Sequence, residues 1–237
     1  MANTFLKAEW RKLLMANYIV DPKLLLPYLP NKTELDLWNG SCYVSLVGFM
    51  FLNTRIKSIK VPFHTNFEEV NLRFYVRYKD NYEWKRGTVF IKEIVPKPAL
   101  TFVANLVYKE HYETLPMAHS WKTEGDLLTT EYSWKKNDQW NSMKVKSSLT
   151  QTDISSGSIE EFITEHYWGY TKINEQLTSE YGVEHPVWKV YDIKGYFIDV
   201  DFGANYGPQF GFLNHEKPTS VLLAEGSEIV VKEGRKF

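Results

Sequence analysis

Hydrophobic and polar positions alternate most regularly in one run, Phe67 to Arg77, which reads Phe-Glu-Glu-Val-Asn-Leu-Arg-Phe-Tyr-Val-Arg. Successive side chains of an extended strand point to opposite faces. Val70, Leu72, Phe74 and Val76 therefore share one face, and Glu69, Asn71, Arg73 and Tyr75 share the other. The second face carries a carboxylate, a carboxamide, a guanidinium and a phenol in a row. That row suits the lining of a polar pocket, and it equally suits a solvated outer face.

The rest of the chain supplies mostly strands around this one. Leu13 to Val20 is an apolar run ending at Asp21-Pro22, a helix-start pair that predicts a short helix from Pro22 to about Leu29. Leu35 to Trp38, Asn39-Gly40 and Ser41 to Phe51 read as strand, tight turn, strand. Tyr43 to Phe51 is almost continuously apolar, as in a central strand. Asn53 to Asn66 is a long basic and aromatic connection, a lid over a pocket or a plain surface loop. Lys79-Asp80-Asn81 turns the chain, and Gly87 to Val95 returns as a strand. Pro96 and Pro98 open a helix predicted over Ala99 to about Tyr108. Trp121 to Lys146 alternates between turn signals at Glu124-Gly125 and Lys136-Asn137-Asp138, a meander of short strands. Ser158 with Glu161 forms a capping box opening a helix to about Thr164. Tyr167 to Thr171 and Val187 to Phe197 read as strands, Pro208 to Leu213 as irregular or a short helical turn, and Ser220 to Val231 as a last hairpin. No internal repeat or low-complexity tract interrupts the pattern.

Composition sharpens this. With 15 Tyr, 14 Phe and 8 Trp, the chain favours pleated, half-buried surfaces. The length of 237 residues suffices for a real core, and residues 1–237 are expected to form a single domain. A net charge of -1 argues against a general nucleic-acid partner. No stretch is apolar enough to span a membrane, and the first residues do not read as a signal peptide. The single cysteine, Cys42, fits a reducing compartment, so a cytoplasmic location is expected.

The chemistry must come from few residues. There is no nucleophile elbow, phosphate-binding loop, dinucleotide fingerprint or His-Glu-x-x-His, and no cofactor is expected. The histidines, His64, His111, His119, His166, His185 and His215, never fall at helical ligand spacing, so no metal site is expected. Cys42 reads as core filler. Arg73 suits a carboxylate clamp, and Asn71 both donates and accepts. Glu69 suits a base or an Arg73 partner. Tyr112, His111 and His185 are candidate proton donors. The same Glu-x-Asn-x-Arg-x-Tyr row also suits a structural hydrogen-bonded network.

Several segments carry a family resemblance: Glu9-Trp10-Arg11, Asp21-Pro22, Gly40-x-x-Tyr43-Val44-Ser45-Leu46, Glu69-Val70-Asn71-Leu72-Arg73-x-Tyr75-Val76, Gly87-Thr88-Val89-Phe90, Glu165-His166-Tyr167-Trp168-x-Tyr170 and Glu184-His185-Pro186-x-Trp188. Together and in order they resemble the uncharacterised YqjF-like family, domain of unknown function 2071. That family is similar in fold to acetoacetate decarboxylase. The resemblance implies an α+β fold built on an antiparallel-rich β-barrel with a few helices packed outside. It implies the fold and not the reaction.

Those decarboxylases use a lysine beside a second lysine to form a Schiff base with a keto acid. The matching segment here, Tyr108 to Glu113, places Tyr112 and Glu113 where the lysines would stand. Lys109 lacks an adjacent cation, and an ordinary lysine with pKa ~10.4 is mostly protonated. Lys92 is a weaker stand-in. The sequence thus leaves three functions open. One is an enzyme, or a former one, holding a small carboxylate or carbonyl compound, with Glu69, Tyr112 and His111 as catalytic candidates and Asn71, Arg73, Tyr75 and His185 as ligand contacts. Another is a non-catalytic binding protein for an apolar or aromatic small molecule. The last is an interaction protein with no pocket. A small molecule is the expected partner, and self-association is left open.

Overall fold

The structure, a computed structural model, describes residues 3–103, 105 and 110–237, with the backbone alone at 103. Strand accounts for 61% of the chain, so the expectation of a strand-rich fold with few helices holds. In chain order the strands are β1 (Thr4–Val20), β2 (Thr33–Leu35), β3 (Cys42–Ile56), β4 (Phe67–Asp80), β5 (Glu83–Val95), β6 (Tyr112–Thr114) and β7 (Met117–Glu124). They continue as β8 (Leu127–Lys136), β9 (Gln139–Asp153), β10 (Trp168–Lys172), β11 (Thr178–Glu184), β12 (Lys189–Asp199), β13 (Ser220–Lys232) and β14 (Arg235–Lys236). Short helices α1 (Pro98–Val103), α2 (Ile159–Thr164) and α3 (Phe202–Tyr206) fill connections.

Neighbouring strands follow the order β11-β10-β5-β4-β3-β1-β13, and β11 pairs again with β13. The ladder therefore returns to its own start. From β13 the sheet continues through β12, β9, β8 and β7. This extension lies against β3, where Gly48 makes room. A Cβ there would stand 2.9 Å from the Tyr132 ring and 3.0 Å from the Met143 sulfur.

The central strand β4 is buried on both faces. Val70, Leu72, Phe74 and Val76 are each 0% exposed and join a large core with Tyr132, Trp134 and Met143. On the opposite face Tyr75 joins a second cluster with Phe49, Phe51 and Phe67. Tyr75 Oη lies 2.6 Å from Ser45 Oγ, which donates to Asn17 Oδ1 at 2.5 Å. Asn17 Nδ2 in turn donates to Ser220 Oγ at 2.9 Å. This buried chain of hydrogen bonds crosses β4, β3, β1 and β13.

Several expectations need correction. The segment from Pro22 is two 3-10 turns, Pro22–Leu24 and Leu26–Tyr28, because Pro27 removes the backbone donor a continuous helix requires. Asp21 does cap the first, accepting from Lys23 N at 2.8 Å. The Asn39-Gly40 turn forms, with φ of 48° and 78°, and closes a Trp38–Ser41 bridge. The strand before it, however, pairs with β4 rather than β3. Ser220 to Val231 is one long strand, β13, and not a hairpin. Strand β11 and helix α3 were not foreseen. The helix from Ala99 is described as Pro98–Val103. Of its predicted continuation to Tyr108, all but Asn105 lies outside the described residues. The meander and the Ser158 cap stand where expected; Ser158 Oγ accepts from Glu161 N at 3.2 Å. Glu161 Oε2, however, accepts from Gly157 N at 2.7 Å rather than from Ser158 N, so the reciprocal half of the box is displaced by one residue.

The ring depends on a short parallel contact between β10 and β5, Trp168↔Gly87 and Gly169↔Thr88. A Cβ on Gly87 would lie 2.5 Å from the Trp168 carbonyl oxygen and 2.6 Å from the Tyr170 ring. The first of these is backbone and cannot swing away. Gly87→Ala is expected to cost about 1–3 kcal/mol, read as a lower urea midpoint. A wild-type midpoint would mean that this contact does not hold the ring.

Candidate functional site

A cavity of about 590 Å³ lies against the polar face of β4, and Phe67, Glu69, Asn71 and Arg73 all line it. They occupy every second position of the strand, so one face supplies them all. Glu69 is 3% exposed, Asn71 1% and Arg73 8%. Tyr75, the next residue on that face, does not line the cavity. Its hydroxyl serves the buried chain through Ser45, and its ring lies 4.6 Å from that of His166. Within the expected row, Tyr75 is structural.

Strand β5 adds Thr88, Phe90 and Glu93 to the wall. Simple alternation from Thr88 would bring Lys92 inward. The register shifts between the pairs Arg73↔Phe90 and Leu72↔Lys92, leaving Ile91 unpaired. Such a bulge inverts the facing of the residues beyond it. Glu93 therefore turns in, while Lys92 pairs with Glu113 at 3.1 Å. Strand β6 runs parallel beside Glu93 and presents Tyr112 to the cavity. Its neighbour Glu113 points away, bound to Lys92 and Lys136.

The polar end combines one guanidinium with three carboxyls, Glu69, Glu93 and Glu110. Asn71 Nδ2 donates to Glu69 Oε1 at 2.9 Å, and Tyr112 Oη to Glu69 Oε2 at 3.4 Å. Thr171 Oγ1 donates to Glu110 at 2.6 Å. Burial raises Glu69 to about 7, against the lowering effect of Asn71, Tyr112 and Arg73. Burial likewise raises Glu110 to about 7. Glu93 goes well above the usual carboxylate range, through burial and then through its two acidic neighbours. Tyr112 is pushed far up by burial and by the same acids, so it stays a phenol.

Arg73 is the unusual member. No carboxylate of the described residues forms an ion pair with it; its one recorded hydrogen-bond contact is Nη2 to the Met15 sulfur at 3.8 Å. Its Nε is buried with no hydrogen-bond partner, and the same holds for Asn71 Oδ1 and Glu93 Oε2. Buried polar atoms are ordinarily paired. Here these three line one cavity, whose wall also carries unpaired His166 Nδ1, Trp10 Nε1 and Thr54 Oγ1.

His166, which sequence reasoning passed over, also lines the cavity. Its Nε2 lies 3.1 Å from Asp36 Oδ2, which also accepts from Arg86 Nε at 2.7 Å. Burial holds the imidazole down to about 4 despite Asp36. The ring is thus neutral, Nε2–H donates to Asp36, and Nδ1 is an acceptor with no partner. His185 lines the cavity between aromatic rings, 4.6 Å from Tyr167 and 4.3 Å from Trp188. His111 does not line it. It is exposed and borders a separate hollow of about 260 Å³, which shares Glu110 with the main cavity.

Away from Arg73 the wall becomes aromatic. Phe51 stacks on Phe67 at 4.8 Å, and Trp10 meets Phe49 at 5.4 Å and Trp188 at 6.3 Å edge-on. The far end is reached by Ile56, Lys57 and Val61, of which the Lys57 side chain is 64% exposed. Among the described residues the wall lysines are Lys57, paired with Glu233, and Lys232, paired with Glu184. Lys109 lies outside the described residues. Among the described residues no group of His, Cys, Asp and Glu could hold a metal ion, and no helix is long and apolar enough to cross a membrane.

A strand ring around such a cavity defines a class of fold already represented among solved structures. Acetoacetate decarboxylase from Legionella pneumophila superposes with a TM-score of 0.66 at 12% identity, over 99% of this chain and 88% of that one. The enduracididine biosynthesis enzyme MppR, complexed with pyruvate, gives 0.65 at 11%, over 100% and 91%. An acetoacetate decarboxylase-like enzyme from Sphingomonas wittichii RW1 gives 0.64 at 8%, over 99% and 93%. At these identities the likeness is one of fold. By sequence the chain belongs to the DUF2071 family, an uncharacterized conserved protein, which its residues 7–228 match. It is also 28% identical to the uncharacterized protein YqjF of Bacillus subtilis (strain 168) over 187 residues, 77% of this chain and 74% of that protein.

The raised carboxyls give the site a pH signature. The folded protein keeps Glu69 protonated up to about 7, whereas the ordinary value is 4.5. Between these values the native state binds more protons than the unfolded chain, so this group makes stability fall as pH rises. His166 works oppositely: held to about 4 from an ordinary 6.5, it makes stability fall as pH drops through that interval. Glu69→Gln keeps a neutral hydrogen-bonding group and removes only the first effect. Between about pH 5 and about pH 8 its melting temperature should therefore decline less than that of wild type. Parallel declines in a thermal melt series would show that Glu69 does not titrate in this window.

Proposed function

We propose that this chain binds a small carboxylate or carbonyl compound inside a single β-barrel domain, with Arg73 as the clamp. The observation that carries the reading is Arg73 itself: a buried guanidinium on a cavity wall with no carboxylate paired to it. A buried charge met only by the Tyr75 ring, 5.8 Å away, and the Met15 sulfur is costly, and a bound carboxylate would supply two charge-assisted hydrogen bonds. Asn71 would position the ligand from one side. Glu69, partly protonated near neutral pH and held by the Tyr112 hydroxyl, would donate to a carbonyl oxygen. The barrel is supported by the second pairing of β11, which joins it to both β10 and β13. One fold relative was solved with pyruvate, a 2-oxo acid, which agrees in chemical class.

A Schiff base is not part of this reading. The described wall lysines sit away from Arg73 and are ion-paired, and Lys92 is turned out by the bulge. The lone cysteine, buried and free, supports a reducing compartment such as the cytoplasm. A second reading, a non-catalytic binder of an apolar or aromatic molecule, is favoured by the ring-lined part of the wall.

Titration calorimetry with a panel of 2-oxo acids and lactones tests the clamp. Arg73→Gln is expected to weaken carboxylate binding on the order of 30-fold, the worth of a charge-assisted pair. Equal affinity in wild type and variant would remove Arg73 from the site and leave the apolar reading. Borohydride treatment in the presence of acetoacetate is expected to trap no adduct. A covalent adduct would restore an amine mechanism.

A further inference from the structure

The cavity is polarised along its length, and the polarity follows β4. Its inward positions run Arg73, Asn71, Glu69, Phe67. At about 3.3 Å per residue, Arg73 and Phe67 are roughly 20 Å apart along the strand. The unpaired polar atoms of Arg73, Asn71 and Glu93 lie at one end, and they include the one guanidinium and the one carboxyl among the lining's unpaired groups. The other end carries only the neutral Trp10 Nε1 and Thr54 Oγ1 unpaired. Beside Phe67 the neighbouring strands add Phe51 and then Trp10, while Phe49 stands beside Glu69. Beyond these the wall continues to Ile56, 37% exposed, and Val61, 38% exposed. A volume of about 590 Å³ lies within the range of roughly 300–1,000 Å³ that holds drug-sized ligands. A four-carbon acid would leave most of it unfilled and its aromatic wall uncovered.

Resting on the clamp proposed for Arg73, we infer that the ligand is an amphiphilic monocarboxylic acid bound head inward. Its carboxylate meets Arg73, and an unbranched or aryl tail runs past Phe49, Phe51 and Phe67 toward Ile56 and Val61. The reverse orientation would place hydrocarbon against Arg73, Asn71 and Glu93, leaving each without a partner. It would also bring the carboxylate to Lys57, whose charge is already met by Glu233 at 3.1 Å. Each methylene laid along the aromatic wall leaves water, so affinity grows with chain length.

The test uses the full chain and a series of straight-chain monocarboxylates from butanoate to dodecanoate, below their micellar concentrations, with the matching primary alcohols. Binding is followed by calorimetry, with wild type, Arg73→Gln and Phe51→Asn compared after each is shown to melt cooperatively. Affinity is expected to rise about three- to fourfold per methylene, and to level off once the tail passes Val61. Acids should exceed alcohols of equal length. Arg73→Gln should abolish that preference and keep the chain-length slope, and Phe51→Asn should flatten the slope and keep the preference. A flat series with Arg73-dependent binding of short acids would overturn the tail and leave the clamp standing. A steep series with equal affinities for acid and alcohol would overturn the clamp and, with it, the head-inward ligand. No binding by any member would overturn both.

Discussion

The structure turns on a strand that has no solvent face. β4 meets a packed hydrocarbon core on one side and a second buried environment on the other. Its polar row therefore loses water without being able to move away. Removing a carboxyl, an amide and a guanidinium from water is unfavourable unless each is paired or neutralised. The protein answers differently at each position. Glu69 and its neighbours Glu93 and Glu110 hold on to their protons. Tyr75 is absorbed into a chain of hydrogen bonds that ties four strands together. Arg73, which cannot give up its charge, is left facing a cavity.

Closure of the ring is what makes that environment possible. It rests on contacts of only a few residue pairs, between β10 and β5 and between β11 and β13, and at one of them Gly87 is the residue that lets two backbones approach. The polar end of the cavity is assembled across this seam and around it: Thr88 and Glu93 from β5, Tyr112 from β6, His166 from the segment entering β10. The likeness to acetoacetate decarboxylase stops at the fold. Tyr112 is a phenol turned inward, and its neighbour Glu113 is a carboxylate turned outward, already bound to two cations.

Much of the frame was legible. The alternation of β4, the apolar run of β3, the turns at Gly125 and Asn137 and the cap at Ser158 all carry local signals, because period, turn chemistry and capping act over a few residues. Inward placement of Glu69, Asn71 and Arg73 was one of two readings the pattern allowed. What failed, failed where distant residues decide. Lys92 and Glu93 exchange faces through a bulge that nothing in their own sequence marks. The segment at Leu35 carries a hairpin signal, yet pairs with β4. His166 stood in a family-matching segment without a role; only the fold, which also brings it to Asp36, 130 positions earlier, sets it on the wall.

By itself the sequence determined which residues share a face, where the chain turns, and the family to which it belongs. Those are consequences of side-chain period and backbone preference, which are local. Only the tertiary structure decided that the polar face looks into a cavity, that Tyr75 drops out of it, and that Glu93 rather than Lys92 joins it. Burial, and with it every shifted proton and every unpaired atom, is set by what arrives on the other side of a strand. Here that partner comes from segments far along the chain.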